Sequence, residues 1–340
     1  MAAPNSVIST TLQLLKDKLV DQSFTSLPLF KAIEAAGNLK MVSGGMRVEA
    51  PVMFGEHSTI TEYTNGYEPT SMVFTDPYQT AKFEWCNFSE PIGLSKVERS
   101  ANKGSLAIVN ILDTKMKNAM NALKKEVNRT ILQGPIYTTS RLSQLQTLNG
   151  MTTAASTGWL EGVVQASQQN VIGTLSKVTY QSKNWFNQFK DCAASFDLAD
   201  LDELIINCSL YNASGSTPDI IIMSPKCYAK FQALQTAIKS PGNAKDLRDI
   251  NDTYLTTYMG AKVYVDLNMG FTAQNPAKPV SAYVLNSRDF EIYADQDGWF
   301  DIGEMAPLGG TILDTAQIFC RMQLVTSHLA SHGVLLDAEA

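Results

Sequence analysis

Residues 105–134 read SLAIVNILDTKMKNAMNALKKEVNRTILQG. Val109, Leu112, Met116, Ala119, Met120, Leu123, Val127 and Ile131 recur at steps of three and four, which places them on one face of an α-helix. Lys115, Lys117, Lys124, Lys125 and Arg129 fall mostly off that stripe. Ser105 suits the N-cap, where its hydroxyl accepts from an N–H without an intrahelical partner. Gly134-Pro135 ends the run, because glycine takes the left-handed terminal conformation and proline cannot continue a helix. At about 1.5 Å per residue such a helix runs ~40 Å, beyond the ~11–12 residues common in compact domains. Its apolar spacing is not a heptad, and no helical neighbour of matching length accompanies it. The pattern predicts one long spine in a mixed fold, not a bundle or a coiled coil.

Upstream of the spine the period changes. Met46, Val48, Ala50, Val52 and Phe54 alternate with Arg47, Glu49, Pro51 and Met53, and Ala81, Phe83 and Trp85 alternate with Lys82, Glu84 and Cys86. This is strand patterning. Between the two runs lie Gly55-Glu56-His57, Asn65-Gly66, Glu68-Pro69 and Asp76-Pro77, all turn chemistry. Two strands joined by so long an excursion read as a β-arm reaching to a partner. Further upstream, 5–20 carry Ile8, Leu12, Leu15 and Leu19 on one helical stripe, and Leu27 to Ile33 form a second apolar piece. Neither buries its own face, so they cover either a neighbouring subunit or this chain's own core.

Downstream, 135–190 is loop-rich, with Trp159 and an aromatic, basic run from Tyr180 to Gln188 that reads as a packing edge before it reads as a nucleic-acid stacking surface. Residues 197–305 read as α/β. A helix starts near Asp197 with Leu198, Leu201, Ile205 and Cys208, and a buried strand spans 219–223. Ser224-Pro225 opens another helix, since serine suits the N-cap and proline the first helical position. Strands follow at 261–265 and 281–285, with 290–293 and 299–302 expected as a hairpin about Asp297-Gly298. A last long strand has Ala316, Ile318, Cys320, Met322 and Leu324 on one face.

The chain of 340 residues, formal net charge −6, is long enough for two or three compact regions and too acidic to be drawn to nucleic-acid phosphate. Cys86, Cys192, Cys208, Cys227 and Cys320 are scattered and odd in number, which favours reduced thiols over disulfides or a zinc site. The first twenty residues lack the pattern of a secretory signal, and no apolar run approaches the ~20 residues of a membrane span.

Chemistry-bearing motifs are scarce. There is no phosphate-binding glycine loop, HExxH or GxSxG. His57 sits in a turn. His328 and His332 have helical metal-pair spacing but follow a strand pattern without a third ligand. Asp295, Asp297, Gly298 and Glu304 match late positions of a calcium loop whose first position is Tyr293, so an Asp-Gly turn explains them better. Asp197, Asp200, Asp202 and Glu203 crowd a helix start, where the helix dipole favours them. No catalytic, cofactor or metal residues emerge, and a structural or interaction protein is expected rather than an enzyme.

The order of parts resembles the major capsid proteins of tailed bacteriophages, the HK-ninety-seven-type fold also used by encapsulin shells. Local wording matches too: Gly44-Gly45-Met46-Arg47-Val48-Glu49 with Gly55-Glu56, Phe83-Glu84-Trp85, Glu98-Arg99 to Lys103-Gly104, Leu148-Asn149-Gly150, Pro218 to Pro225, and Tyr258-Met259-Gly260-Ala261-Lys262-Val263. The resemblance implies an α+β fold with an N-terminal arm (1–37), an E-loop β-hairpin (38–95), a P domain (96–139) on the spine helix, an α/β A domain (140–305) and a return strand to the P domain (306–340). It implies a shell of pentamers and hexamers enclosing double-stranded DNA by confinement, located in the virion after assembly in the host cytoplasm, with a separate scaffolding protein, a portal and possible decoration proteins as partners, and no membrane. Arg47, Glu49, Phe54, His57, Tyr63, Tyr67, Phe83, Trp85 and Lys124 are then expected at inter-subunit contacts. Some relatives crosslink through an E-loop lysine, and the absence of lysine from Val48 to Ala81 implies a shell without that crosslink. The rival readings are an encapsulin-like compartment, a tail-associated or receptor-binding module, and an enzyme using the carboxylates of 197–203.

Overall fold

The computed structural model describes residues 27–54, 62, 64–66, 77–101, 111–134, 145–151, 158–193, 195–212, 215–238, 256–273, 277–304, 306–307 and 312–338. The spine is a 23-residue helix, Ile111–Gln133. Ser105, Val109 and the Leu112 side chain lie outside the described residues. Its C-terminus closes as its sequence dictates: Gly134 takes φ +76° and its N–H donates to the Thr130 carbonyl at 2.9 Å. Burial deepens along the stripe. Met116, Ala119 and Met120 are half-buried, Leu123 is nearly covered, and Val127, Ile131 and Leu132 are fully enclosed.

In chain order the strands are β1 (Leu39–Val42), β2 (Arg47–Met53), β3 (Tyr78–Glu84), β4 (Cys86–Ser95), β5 (Thr147–Asn149), β6 (Gly158–Leu160), β7 (Val171–Ile172), β8 (Leu175–Ser176), β9 (Gln188–Asp191), β10 (Ile220–Met223), β11 (Thr256–Tyr258), β12 (Ala261–Val265), β13 (Val280–Leu285), β14 (Phe290–Asp295), β15 (Asp301–Ile302), β16 (Ala306–Pro307), β17 (Leu313–Thr326) and β18 (Gly333–Leu336).

The first sheet is organised on β17. Antiparallel β4 runs along one edge, Leu313 opposite Ser95 through Met322 opposite Cys86. Along the other edge β14, β15 and β16 follow in succession, from Phe290 opposite Thr326 to Pro307 opposite Asp314, and β1 adds to β14 in parallel. The expected hairpin about Asp297-Gly298 is therefore corrected. Both flanking strands pair with β17 and not with each other, and the turn is an interruption within one continuing run, pinned where the Arg321 N–H donates to the Gly298 carbonyl at 2.8 Å. Alternation on β17 buries Ala316, Ile318, Cys320, Met322 and Leu324, as read from the sequence.

The second sheet has the order β11-β12-β10-β13-β18-β9. Every residue of β10, β13 and β18 is buried, the mark of strands covered on both faces. Ile221, Met223, Val263, Ala282, Val284 and Leu335 face a cluster built from helices Leu198–Leu210 and Pro225–Ile238. The alternate residues Ile220, Ile222, Tyr283 and Val334 join the main core with the end of the spine, where the Tyr283 hydroxyl donates to the Leu132 carbonyl at 2.9 Å. Ser224 caps its helix as expected, accepting from the Cys227 N–H at 3.1 Å.

Three segments take the following sheet partners. Residues 86–95, expected in the β-arm, belong to the first sheet. Residues 290–302, expected in the α/β domain, also join the first sheet. Gly333–Leu336, expected to return to the spine domain, completes the second sheet between β13 and β9. The helix Pro28–Ala36 lies on this chain's own core through Leu29, Ala32 and Ile33. The amphipathic run 5–20 lies outside the described residues.

Candidate inter-subunit surfaces

The candidate site is a set of outward faces, and the first is the ribbon of β2 and β3. Its register pairs Arg47 with Glu84 and Met53 with Tyr78. One face carries Val48, Val52, Ala81 and Phe83 into the core, and Phe54 continues it, stacked on Tyr180 at 4.6 Å and edge-on to Trp185 at 5.5 Å. The ribbon is tied to the turn between β7 and β8 by the Lys82 N–H, which donates to the Gly173 carbonyl at 2.7 Å. Gly173 has φ +57°, and a Cβ there would sit 2.9 Å from both Ala81 Cβ and a Phe83 ring carbon. Gly173→Ala is therefore expected to lower stability by about 1–3 kcal/mol, combining strain and overpacking, and a urea titration measures it. An unchanged midpoint would show that the ribbon does not rest on this turn.

Phe54, Phe83 and Trp85, expected at contacts, are all buried in their own chain. Trp85 donates from Nε1 to the Gly45 carbonyl at 3.0 Å and lies under the Arg321 guanidinium at 4.8 Å. Arg321 also donates to the Gly45 carbonyl at 2.8 Å and to Asp295 at 3.0 Å. Alternation alone could not tell whether the apolar face meets its own chain or a neighbour. Lys124 is likewise half-engaged internally. Its ammonium lies 5.3 Å over the Phe300 ring, beside a cavity of about 190 Å³ lined by Phe30, Ile33, Leu39, Ile292 and Trp299.

Arg47 and Glu49 are exposed and pair with each other at 2.6 Å. Beside them lie large exposed apolar groups: Met46, read from the alternation as sharing the face of Val48 and Val52, is 87% exposed, Met53 is 65% exposed, and Tyr78, which the sequence reading passed over, is 63% exposed. Met53 was legible as the wrong-phase neighbour of Val52 and Phe54. On the second sheet's flank Ile206, Leu210 and Tyr211 form another exposed apolar strip. Single exposed hydrophobics are ordinary, but contiguous ones mark surfaces that meet other molecules. His57, Tyr63 and Tyr67 lie outside the described residues.

The titratable motifs have structural occupations. Asp197 and Asp200 make a capping box, Asp202 accepts from the Tyr258 hydroxyl, and Glu203 pairs with Lys190. Asp295 is held by Arg321. His332 is fully buried, accepts from the Asn286 N–H at 3.2 Å and stacks on Trp159. Among the described residues no group of three or more His, Cys, Asp and Glu side chains could hold a metal ion. All five cysteines are free and buried, and burial alone pushes the Cys86 thiol up to about 11, which suppresses the reactive thiolate. No described helix is long and apolar enough to cross a membrane.

No family model and no curated protein matches the chain. Solved structures do. The chain superposes on a subunit of the cyanophage A-1(L) capsid asymmetric unit with TM-score 0.66 and 15% identity, over 98% of this chain and 99% of that one. A subunit of the capsid of the native GTA particle gives TM-score 0.60 at 11% identity over 98% and 99%, and one from the capsid of Myoviridae phage XM1 gives 0.60 at 9% over 99% and 98%. The likeness is one of fold, and it spans nearly the whole of each chain. This chain has the α+β fold of these capsid subunits, the HK-ninety-seven type that its sequence resembles.

Proposed function

We propose that this chain is the major shell protein of a tailed-phage head, assembling through its own copies into pentamers and hexamers of a closed icosahedral shell around double-stranded DNA. The observation that carries this reading is the near end-to-end match to capsid subunits, two sheets and spine included. The exposed apolar groups of the ribbon, Met46, Met53 and Tyr78, fit such a role, because large apolar side chains on an outward face suit contact with another subunit. The role is structural, and the charged motifs of the chain are occupied in caps and ion pairs.

Arg47, Glu49, His57, Tyr63, Tyr67 and Lys124 remain proposed contact positions, joined by Met46, Met53 and Tyr78. Scaffolding, portal and decoration proteins would be separate chains, the place of action is the virion after assembly in the host cytoplasm, and DNA is held by confinement, consistent with a net charge of −6. Negative-stain microscopy of the purified protein at high concentration tests the reading. Closed particles or wide tubes are expected; a persistent compact monomer would overturn it. Met53→Asp with Tyr78→Asp should suppress particles while leaving the subunit folded, since neither side chain is buried in its own chain.

A further inference from the structure

The segment 158–193 holds a buried polar cluster for which shell formation gives no reason. The Lys177 side chain has no exposed surface, and its ammonium reaches three acceptors: the Trp159 carbonyl at 2.5 Å, Asn187 Oδ1 at 2.9 Å and Glu161 Oε2 at 3.1 Å. Asn187 and Glu161 are buried with it. A lysine in this place gives up its hydration, and an apolar side chain of similar reach would carry no such penalty.

The partners are held from every side. Asn187 Oδ1 also accepts from the Glu161 N–H at 2.9 Å, while its Nδ2 donates to the carbonyls of Glu161 and Gln188, each at 2.9 Å. The Glu161 carboxylate accepts from the N–H groups of Gln169 at 2.9 Å and Asn170 at 3.1 Å. Gln168 fixes the Asn187 backbone in both directions, at 3.0 and 2.8 Å. An amine, a carboxamide and a carboxylate are thus packed together away from water, with their orientations set by the backbone.

We propose that Lys177 and Asn187 of one chain join by a self-formed isopeptide bond, with the Glu161 carboxylate as proton carrier. The Lys177 Nζ lone pair adds to Asn187 Cγ, forming the Cγ–Nζ bond. Charge gathers on Oδ1, where the Glu161 N–H already points, the arrangement of an oxyanion hole. Glu161 takes the surplus proton from Nζ and delivers it to Nδ2; the Cγ–Nδ2 bond breaks and ammonia leaves. Amine and carboxamide become a secondary amide and ammonia, so no oxidant, reductant or cofactor enters. Burial, partly offset by Glu161, draws the Lys177 amine down to about 8, so its neutral, nucleophilic form is accessible near neutral pH. Fixed proximity supplies what a dilute amine and amide lack. Exclusion of water also keeps hydrolysis of the amide from competing. The bond lies within one chain, so it adds no band above the monomer on a denaturing gel and is independent of the shell reading.

Mass spectrometry of the full wild-type chain, purified folded and then denatured, tests this. The expected intact mass, after N-terminal processing, falls short of the sequence mass by one ammonia, and a digest yields a branched peptide joining Lys177 to Asn187. Lys177→Arg and Glu161→Gln should each restore the full mass. Succinimide formation at Asn65-Gly66 or Asn149-Gly150 gives the same deficit, and the digest distinguishes it. A wild-type chain of full sequence mass, or a deficit that maps elsewhere, overturns the proposal and leaves Lys177 as a buried ion pair.

Discussion

Ile131→Asp leaves no folded subunit. Ile131 is fully enclosed in the last turns of the spine helix, in the main cluster that the first sheet and the inner face of the second sheet share. A carboxylate there meets the apolar residues of that cluster, and it must either ionise in apolar surroundings or fold protonated. Either way the loss is roughly 3–5 kcal/mol or more, against a total stability of ~5–15 kcal/mol for a domain. The effect is graded along the helix by burial. Leu123→Asp, at 7% exposure, should be nearly as damaging, and Met116→Asp, on a half-buried position, clearly milder. Lys125→Glu, on the exposed side, serves as the control and should stay within about 0.5 kcal/mol of the parent. Soluble yield, far-ultraviolet circular dichroism and urea midpoints measure the series. A soluble Ile131→Asp subunit with the parent midpoint would show that the spine is not the beam joining the two sheets.

Acid should loosen this fold through His332, and His332→Gln should blunt the response. The ring is wholly buried among Trp159 and Phe290, and burial, reinforced by neighbouring His328, lowers its pKa to about 3. It is therefore neutral in the native state at pH 7, while in the unfolded chain it titrates near the ordinary value of about 6.5. A depressed folded-state pKa means that the unfolded state binds more protons between the two values. The stability tied to the neutral ring is complete above about pH 6.5 and falls progressively toward pH 3. At ~1.4 kcal/mol per pH unit the step from pH 6.5 to 4.5 removes roughly 2–3 kcal/mol. Glutamine keeps an acceptor for the Asn286 N–H and carries no titrating group. Urea unfolding at pH 7 and pH 4.5 should show the variant losing ~2–3 kcal/mol less than the parent over that interval. Equal losses in both proteins would place the acid response elsewhere.

Local patterns read the elements well. The spine stripe, the alternation of Ala316 to Leu324, the Ser224-Pro225 helix start and the Gly134 stop depend on neighbours in sequence, and the same physics sets them in the fold. Pairing was less legible. Phe290 to Ile302 has the composition of a hairpin, and nothing local reveals that a strand some twenty residues later takes both halves on one edge. The apolar faces of Phe54, Phe83 and Trp85 were legible as faces but not in their destination. Period two separates inside from outside and does not say whose inside it is. Gly333–Leu336 is too short to announce its sheet. Lys177 passed unnoticed because a single lysine in a loop-rich segment reads as solvated until Glu161, Asn187 and the Trp159 carbonyl are brought around it.

The placement of β17 and β18 has a consequence for biosynthesis. Residues 313–326 bridge β4 to the run of β14 to β16, and after the short turn at Leu329–Ser331 residues 333–336 seat between β13 and β9. During translation every other strand of both sheets leaves the ribosome first; the first sheet then lacks its central strand, and the second lacks the strand that joins β9 to the other four. In the first sheet the two sides meet only through contacts between residues more than two hundred positions apart, as in the pairing of β4 with β17. Such distant closure is slow. The late strands therefore set the pace at which both sheets become complete.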